Sequence, residues 1–356
     1  MSTSRRTNER IDADERRHER GRTDGIGART AILALLVGAF LAGGCAGGGG
    51  VDSRISRCGD SSDPTSAPCE DELPAPVPAT SFSFGVDPAF AESVSEGALE
   101  AIDRQFGRAV RVFDRIDNIF DGTTIPVTYS SCGEANAFYR PRFRDITLCN
   151  EFLDVMFTQF TSNQQGGTDE AARRAFTYAL EAMTFTLYHE AGHALDDIRS
   201  VGTGGNFESV ADTIGTVLSV STDQPLGPIF AGLFFSMSAP ATGSSGIHGN
   251  GLDRAYDLIC WATGSSSRLA ALVPEISAQL VGSGRDCTAE YADGQAFVQN
   301  LIPDLRQLPP AASVRRGVRA PQALLSALEK RFMQTVRATR AQRQTSTGEA
   351  SATTKR

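Results

Sequence analysis

His189-Glu190-Ala191-Gly192-His193 forms an HExxH pattern inside an apolar-periodic run from Ala171 to Ile198. Residues four apart lie on the same face of a helix, so both imidazoles can reach a single ion. Glu190 follows the first histidine and projects beside the open position of that metal, where a bound water needs a base. The run is therefore predicted to be an α-helix that carries His189 and His193 as zinc ligands.

The segment after this helix offers the third ligand that a zinc site needs. Glu208-Ser209-Val210-Ala211-Asp212 follows the glycine-bearing stretch Val201 to Gly205, which fits a turn between two helices. A second helix is predicted from Glu208 to Ser219, because apolar residues recur on one face. Glu208 would complete the site and leave the fourth position for water. Asp212, one turn later, would accept the second ring N–H of a zinc-bound histidine and fix its tautomer.

Simpler interpretations of these residues stay open at this point. The histidine pair could be buried core residues, and Glu208 and Asp212 could belong to an ordinary solvated face. Asp196 and Asp197 are a rival source of carboxylate, but they lie on the histidine helix and cannot easily reach a third corner of the metal. We therefore favour Glu208 as the third ligand.

These spacings resemble those of the gluzincin metallopeptidases, in which HExxH is followed by a glutamate and by an aspartate four residues later. More closely, the chain resembles a bacterial family of metallopeptidases. Three blocks carry that resemblance: Cys132 to Tyr139 continuing through Ile146 to Cys149, Tyr188 to Leu195, and Arg254 to Gly264. The resemblance implies an α+β, zincin-like fold with a small sheet, an HExxH active-site helix and a mostly helical C-terminal lobe. It implies one zinc ion per chain but no particular substrate.

Such a site predicts an enzyme that hydrolyses peptide bonds. Zinc would lower the pKa of its bound water and polarise the scissile carbonyl. Glu190 would take the water proton and later give it to the leaving amine. His248 lies in a turn-rich stretch, residues 242–250, and is a candidate donor to the oxyanion, although an exposed loop histidine fits the same position.

Two other functions are compatible with the same residues. The fold could serve as a catalytically silent binding or assembly module of the cell envelope, or as a zinc amidase that acts on a cell-wall bond. An intact Glu190 argues against the silent module, because a purely structural metal site has no need of a base. Analysis of the products formed from envelope extracts and from unfolded protein would separate the amidase from the peptidase.

The charge composition of the chain limits the kinds of molecule that it is expected to bind. The formal net charge is −8, and residues 1–30 carry eight Arg against six acidic residues, so the rest of the chain is at −8 − 2 = −10. Without a basic patch, nucleic-acid binding has little support. The predicted partner is a peptide or protein substrate in the cell envelope.

The N-terminal sequence predicts export. Ala31 to Leu41 is apolar and uncharged; it is too short for a membrane span, which needs about 20 residues, but it fits the apolar region of a signal peptide. Leu41-Ala42-Gly43-Gly44-Cys45 resembles a bacterial lipobox with its leucine displaced by one position. Cys45 would then be lipidated and anchor the protein to a membrane. A plain secretory signal with another cleavage site is the alternative.

Cysteine usage also predicts an exported protein. Seven cysteines minus Cys45 leave six, which fits three disulfides in an oxidising compartment. Neighbour pairing is the simplest connectivity: Cys58 with Cys69, Cys132 with Cys149, and Cys260 with Cys287. No CxxC spacing occurs, so a cysteine-ligated zinc is not expected.

The chain is predicted to be organised around one catalytic domain. A lipoprotein-type signal peptide (1–45) and a flexible linker (46–80) precede the zincin-like metallopeptidase domain (81–310), and a C-terminal helix (311–340) and a disordered tail (341–356) follow it. Within the domain, apolar spacing predicts one long helix from Ala91 to Ile119 and strands from Ile125 to Tyr129 and from Asp145 to Cys149. Residues 206–302 are predicted to be mostly helical.

Overall fold

The computed structural model describes residues 82–94, 96–111, 113, 116, 119–163, 168–201, 207–222, 224–238, 251–307 and 325–338. Within these ranges a small sheet comes first and helices dominate the rest of the chain. The fold is therefore α+β, as the sequence predicts.

The sheet has four strands and mixed pairing. It contains β1 (Phe82–Val86), β2 (Ile125–Ser130), β3 (Ala137–Arg140) and β4 (Asp145–Cys149), in the spatial order β1-β2-β4-β3. β1 pairs with β2 and β2 with β4 in parallel, whereas β3 and β4 form an antiparallel hairpin. β3 is thus an edge strand of the sheet.

The two strands that the sequence predicts, β2 and β4, are confirmed. In β2 the side chains of Ile125, Val127 and Tyr129 are buried and alternate with more exposed positions, which is the period of a strand with one face on the core. β4 lies between two strands and is buried along almost its whole length. The edge strands β1 and β3 were not predicted individually.

Helices supply the remaining layers. They are α1 (Pro88–Ser93), α2 (Glu96–Arg111), α3 (Asn150–Ser162), α4 (Asp169–Arg199), α5 (Phe207–Ser221), α6 (Gly227–Ser238), α7 (Gly251–Ser265), α8 (Ser267–Ala270), α9 (Pro274–Gly282) and α10 (Cys287–Leu301), then a 3-10 turn (Pro303–Gln307) and α11 over residues 325–338. α4 packs against α3, α5, α6 and β3 and is buried along most of its length. None of the helices in these ranges is long and apolar enough to cross a membrane.

The long helix α4 has clear start and stop signals. The Thr168 side chain accepts a hydrogen bond from the Ala171 amide at its N-terminus, and two acidic residues in the first turn favour the same helix end. At the other end Ser200 adopts a left-handed conformation, with φ of 50°, and closes the helix. The predicted helix from Ala171 to Ile198 is confirmed, and α5 contains the predicted second helix.

The prediction of one helix from Ala91 to Ile119 is wrong. α1 begins earlier, because Asp87 caps its first amides, and it ends at Ser93, because the backbone of the next residue, Val94, is extended with φ of −120° and ψ of 161°. α2 then ends at Arg111, yet Ile119 beyond it is fully buried in a turn. Apolar residues at helical spacing indicate that one side of a segment is buried. This segment buries one side as well, although its helix is interrupted, so the spacing did not reveal the breaks.

Two disulfides lie within the described ranges. Cys132–Cys149 ties the segment before β3 to the end of β4, and Cys260–Cys287 ties α7 to the start of α10. Both are pairings that the sequence predicts. The third predicted pair, Cys58 with Cys69, lies outside the described residues.

Candidate metal centre

The two histidines of the HExxH pattern lie side by side on α4. Their Nε2 atoms are 3.1 Å apart. His189 is buried, whereas 18 % of the His193 side chain is exposed. The four-residue spacing places both rings on one face of the helix. The pair therefore presents two imidazole nitrogens to one point at the helix surface.

Glu208, at the start of α5, brings a carboxylate to the same point. Its Oε2 lies 3.3 Å from Nε2 of His189, and its Oε1 lies 3.6 Å from Nε2 of His193. Ligand atoms bound at about 2.0–2.1 Å around a tetrahedral metal are about 3.3–3.4 Å from one another. The three donor groups are therefore spaced as a divalent metal ion between them requires.

Glycines allow α4 and α5 to approach closely enough for this convergence. A Cβ atom added to Gly192 would lie 2.8 Å from the Cα of Ala211, a separation that no real side chain tolerates. A Cβ atom added to Gly215, on the facing helix, would lie 3.0 Å from the backbone nitrogen of His189. The glycine inside the HExxH pattern thus has a packing role, which brings Glu208 to the histidines.

Asp212 lies behind His189, on the side away from Glu208. Its Oδ1 is 2.8 Å from Nδ1 of His189, and it is almost fully buried. Burial opposes the charged form of Asp212, but Arg254 and His189 outweigh burial and hold the pKa of that carboxyl below its usual range. The carboxylate is therefore charged and faces the nitrogen of His189 that is turned away from His193.

Arg254, on α7, compensates the buried charge of Asp212. Its Nε and one terminal nitrogen donate to the two carboxylate oxygens at 2.8 and 2.7 Å, and its guanidinium lies 4.4 Å from the ring centroid of Phe235. Sequence reasoning gave Arg254 no role. The sequence does contain one indication of its role. Arg254 precedes the buried Leu258 by one helical turn, so its charge lies on the buried face of α7 and needs an acidic partner.

The charges around His189 favour its protonated form when no metal is bound. Burial alone lowers the pKa of His189, but the carboxylates of Asp212, Glu208 and Glu190 outweigh burial and raise it from 6.5 to about 9. A site that holds a proton this firmly between carboxylates is also suited to hold a metal cation in its place.

Glu190 lies beside the histidine pair, and the ligand atoms of these three residues are all within 4.8 Å of one another. It is buried, and its Oε2 accepts a hydrogen bond of 2.7 Å from the backbone amide of Tyr139 on β3. That contact, which the sequence did not indicate, ties the carboxylate to the edge strand. Glu190 is thus placed where a base for a bound water would stand.

A cavity of about 250 Å³ opens next to Glu190 and His189. Its walls come from the segment before β3, from β3 itself and from four helices. They are mostly apolar, with Asn136, Thr186 and Arg254 as polar members beside Ala135, Ala137, Phe152, Phe185 and Phe235. A cavity of this kind suits an uncharged side chain beside the reacting group.

Three further residues of α4 are the rival carboxylates Asp196 and Asp197, and Tyr188, which directly precedes the HExxH pattern. Asp197 accepts a hydrogen bond from the Tyr139 hydroxyl at 2.9 Å. For Asp196, burial and the neighbouring Asp197 raise the pKa. Tyr188 is fully buried, and its hydroxyl lies 3.1 Å from that of Thr222 in the core. His248 and Cys45 lie outside the described residues, so their predicted roles stay predictions.

Comparison with known proteins adds one match. The model of a protein family described as "Putative metallopeptidase" matches residues 100–301, more than half of the 356-residue chain. Comparison with curated proteins and with solved structures found no match. The matched range contains the site residues described above: His189, Glu190, His193, Glu208 and Arg254.

Proposed function

The chain belongs to the family described as "Putative metallopeptidase", and from that premise we propose that it is a zinc-dependent peptidase with a zincin-like fold. One observation carries the proposal: His189, His193 and Glu208 converge on one point, with Glu190 beside them. We propose that the first three residues hold one zinc ion per chain. A donor set of two imidazoles and a carboxylate is typical of catalytic zinc.

The residues around this point have complementary roles in the proposed reaction. When bound, zinc polarises the scissile carbonyl and lowers the pKa of a water at its open position. Glu190 accepts a proton from the attacking water and returns it to the leaving amine. Asp212 keeps the His189 proton on Nδ1, so that Nε2 is available to the metal. His248 remains the candidate donor to the charge that develops on the carbonyl oxygen.

An extended peptide is the substrate class that we propose. β3 is an edge strand next to α4. Its outward amides, of Ala137 and Tyr139, already donate to Asn136 and Glu190, so a peptide that adds along this edge would donate to the outward carbonyls. The cavity beside Glu190 has mostly apolar walls and would hold an uncharged side chain next to the bond that is cleaved.

Substitution of the base tests this function directly. We expect Glu190→Gln to retain metal and to lose hydrolysis of peptides, because the amide cannot accept the water proton. Glu170→Gln is the matched control, since Glu170 is exposed in the first turn of the same helix. Peptide cleavage and metal content would be measured for both variants. Unchanged cleavage by Glu190→Gln would remove this residue from the mechanism.

We further propose that the protein is exported and anchored to a bacterial membrane through a lipid on Cys45. The apolar segment before this cysteine supports export, and the disulfides Cys132–Cys149 and Cys260–Cys287 suit an oxidising compartment. We expect Cys45→Ser to release the protein from membrane fractions of a producing cell. Persistent membrane association of that variant would contradict the lipid anchor.

A further inference from the structure

Tyr139 contacts the metal-bearing helix at two points. Its backbone amide donates to Oε2 of Glu190 at 2.7 Å, and its side-chain hydroxyl donates to Oδ2 of Asp197 at 2.9 Å. Glu190 and Asp197 are seven residues apart on α4, so their Cα atoms are separated by about two helical turns, or about 10 Å along the helix axis. One residue of the edge strand therefore joins the strand to the helix at two positions.

The amide of Tyr139 is available for this contact because of the register of the hairpin. Tyr139 pairs with Ile146, and Asn136 pairs with Cys149 in the same register, with the Cys149 amide donating to the Asn136 carbonyl. Antiparallel residues alternate between facing the partner strand and facing outward. Asn136, Phe138 and Arg140 therefore direct their amides to β4, and the Tyr139 amide faces the helix without costing the sheet a hydrogen bond.

The carboxylate of Glu190, which accepts this hydrogen bond, must face one direction if it is to act as a base. Glu190 is buried, and a glutamate has three rotatable side-chain bonds that must be fixed if it is to face one point. A hydrogen bond from an amide to a carboxylate is charge-assisted, shorter and stronger than a neutral one. A reacting group misplaced by about 1 Å loses roughly 100-fold in rate. A rigid backbone donor on a strand is well suited to hold such a group.

We infer that Tyr139 is a positioning residue for the base: its amide orients the Glu190 carboxylate toward the metal centre, and its hydroxyl keeps the edge strand in register with α4. This inference rests on the proposed function, because it assigns Glu190 the role of base. It assigns no proton transfer and no metal contact to Tyr139 itself.

A pair of variants isolates the amide. Tyr139→Ala and Tyr139→Pro both remove the aromatic ring and its hydroxyl, but only the proline variant also removes the backbone N–H. Proline is tolerated on edge strands where its nitrogen does not face the ladder. We expect Tyr139→Pro to lose a further 10- to 100-fold, roughly, in kcat relative to Tyr139→Ala, with KM and metal content nearly equal in the two. Tyr139→Phe reports the hydroxyl contact with Asp197 separately.

A spectroscopic measurement keeps the inference testable if the proline variant does not fold or if no peptide is cleaved. The chain has six tyrosines, so selective ¹⁵N-tyrosine labelling gives few amide signals, and Tyr139→Phe identifies the relevant one. We expect the Tyr139 amide proton of the full chain to move upfield in Glu190→Ala, because its carboxylate acceptor is lost, and to stay in place in Glu170→Gln.

The outcomes separate this inference from the proposed function. Folded Tyr139→Pro with the kcat of Tyr139→Ala would overturn the positioning role, and so would a Tyr139 amide signal that ignores Glu190→Ala. Loss of kcat in the proline variant alone, with the expected upfield shift, supports it. If the unaltered protein cleaves no peptide while the amide signal still responds to Glu190→Ala, the contact stands and the peptidase proposal fails.

Discussion

Asp212 Oδ1 lies 2.8 Å from Nδ1 of His189. A nitrogen that faces a carboxylate carries the ring proton, which leaves the opposite nitrogen as the one that can bind a metal. That opposite nitrogen, Nε2, is 3.1 Å from Nε2 of His193 and 3.3 Å from the Glu208 carboxylate. Asp212 thus faces the nitrogen that would carry the ring proton of a metal-bound His189, and Glu208 faces the nitrogen that would bind the metal.

The identity of the third ligand can be tested by comparing two carboxylates. We expect Glu208→Ala to weaken zinc binding at least tenfold, because it removes one of three protein ligands. Asp197→Ala is the control: its carboxylate bonds to Tyr139, and we expect zinc affinity to change little. Competition with a chromophoric chelator would measure both affinities. Loss of zinc in the Asp197 variant, with retention in the Glu208 variant, would reverse the assignment.

Close packing between α4 and α5 is a condition for the site. We expect Gly192→Ala to weaken zinc binding, because the added methyl group would meet Ala211 and push the Glu208-bearing helix away. The overpacking costs about 1–3 kcal/mol, partly offset by up to about 1 kcal/mol from the better helix propensity of alanine.

Gly107→Ala is the matched control for that substitution. Gly107 is also helical, but the nearest atom to its added methyl group is the flexible end of the Arg111 side chain. We expect this variant to keep its zinc affinity and to unfold at an equal or higher denaturant concentration. Equal zinc affinities of the two alanine variants would show that close helix contact at Gly192 is not needed.

Arg254 is predicted to stabilise the fold through the charge of Asp212. Arg254→Met removes the guanidinium that bonds both oxygens of the buried Asp212 carboxylate. Breaking a buried ion pair costs about 3–5 kcal/mol, less the part that protonated His189 beside the carboxylate still compensates. Arg174→Met removes an exposed ion pair with Glu170 and should cost much less, because an ion pair in contact with water adds little to stability. Denaturant unfolding of the metal-free proteins measures both costs. Similar costs for the two variants would contradict the structural role of Arg254.

Metal binding should release a proton from His189. With a pKa near 9 in the metal-free protein, His189 is protonated at pH 7.5, and zinc must displace that proton. Calorimetric titration with zinc in buffers of different ionisation enthalpy counts the protons released. Asp212→Asn removes the strongest cause of the raised pKa, so we expect it to release fewer protons. Equal proton release from both proteins would contradict this account.

The same shift predicts how the stability of the metal-free protein depends on pH. The pKa of His189 is higher in the folded chain than the ordinary 6.5, so its protonation stabilises the fold fully below pH 6.5 and progressively less as the pH rises through about 9. We therefore expect the free energy of unfolding to fall as the pH rises from about 6.5 to about 9. In Asp212→Asn we expect this fall to be smaller. Denaturant unfolding at several pH values checks this.

Two features of the molecule that depend on residue spacing within one segment were predicted correctly from the sequence. The helix that carries His189 and His193 follows from apolar periodicity, and the hairpin disulfide Cys132–Cys149 follows from neighbour pairing. Sequence reasoning also predicted that Glu208 and Asp212, on the next helix, approach the histidines, but it missed two contacts between segments farther apart in the chain. Arg254 reaches Asp212 from 42 residues away, and Tyr139 reaches Glu190 across 51 residues. Such contacts depend on how helices and strands pack, which spacing along one segment does not encode.

The metal content of the purified protein tests the central claim most directly. We expect about one zinc ion per chain, lost in His193→Ala, because His193 faces His189 and Glu208, and retained in His248→Ala, because we propose no metal contact for His248. Elemental analysis after reconstitution and removal of excess metal gives the ratio. A chain that binds no zinc, or one that binds it equally well in His193→Ala, would contradict a metal centre at the HExxH helix.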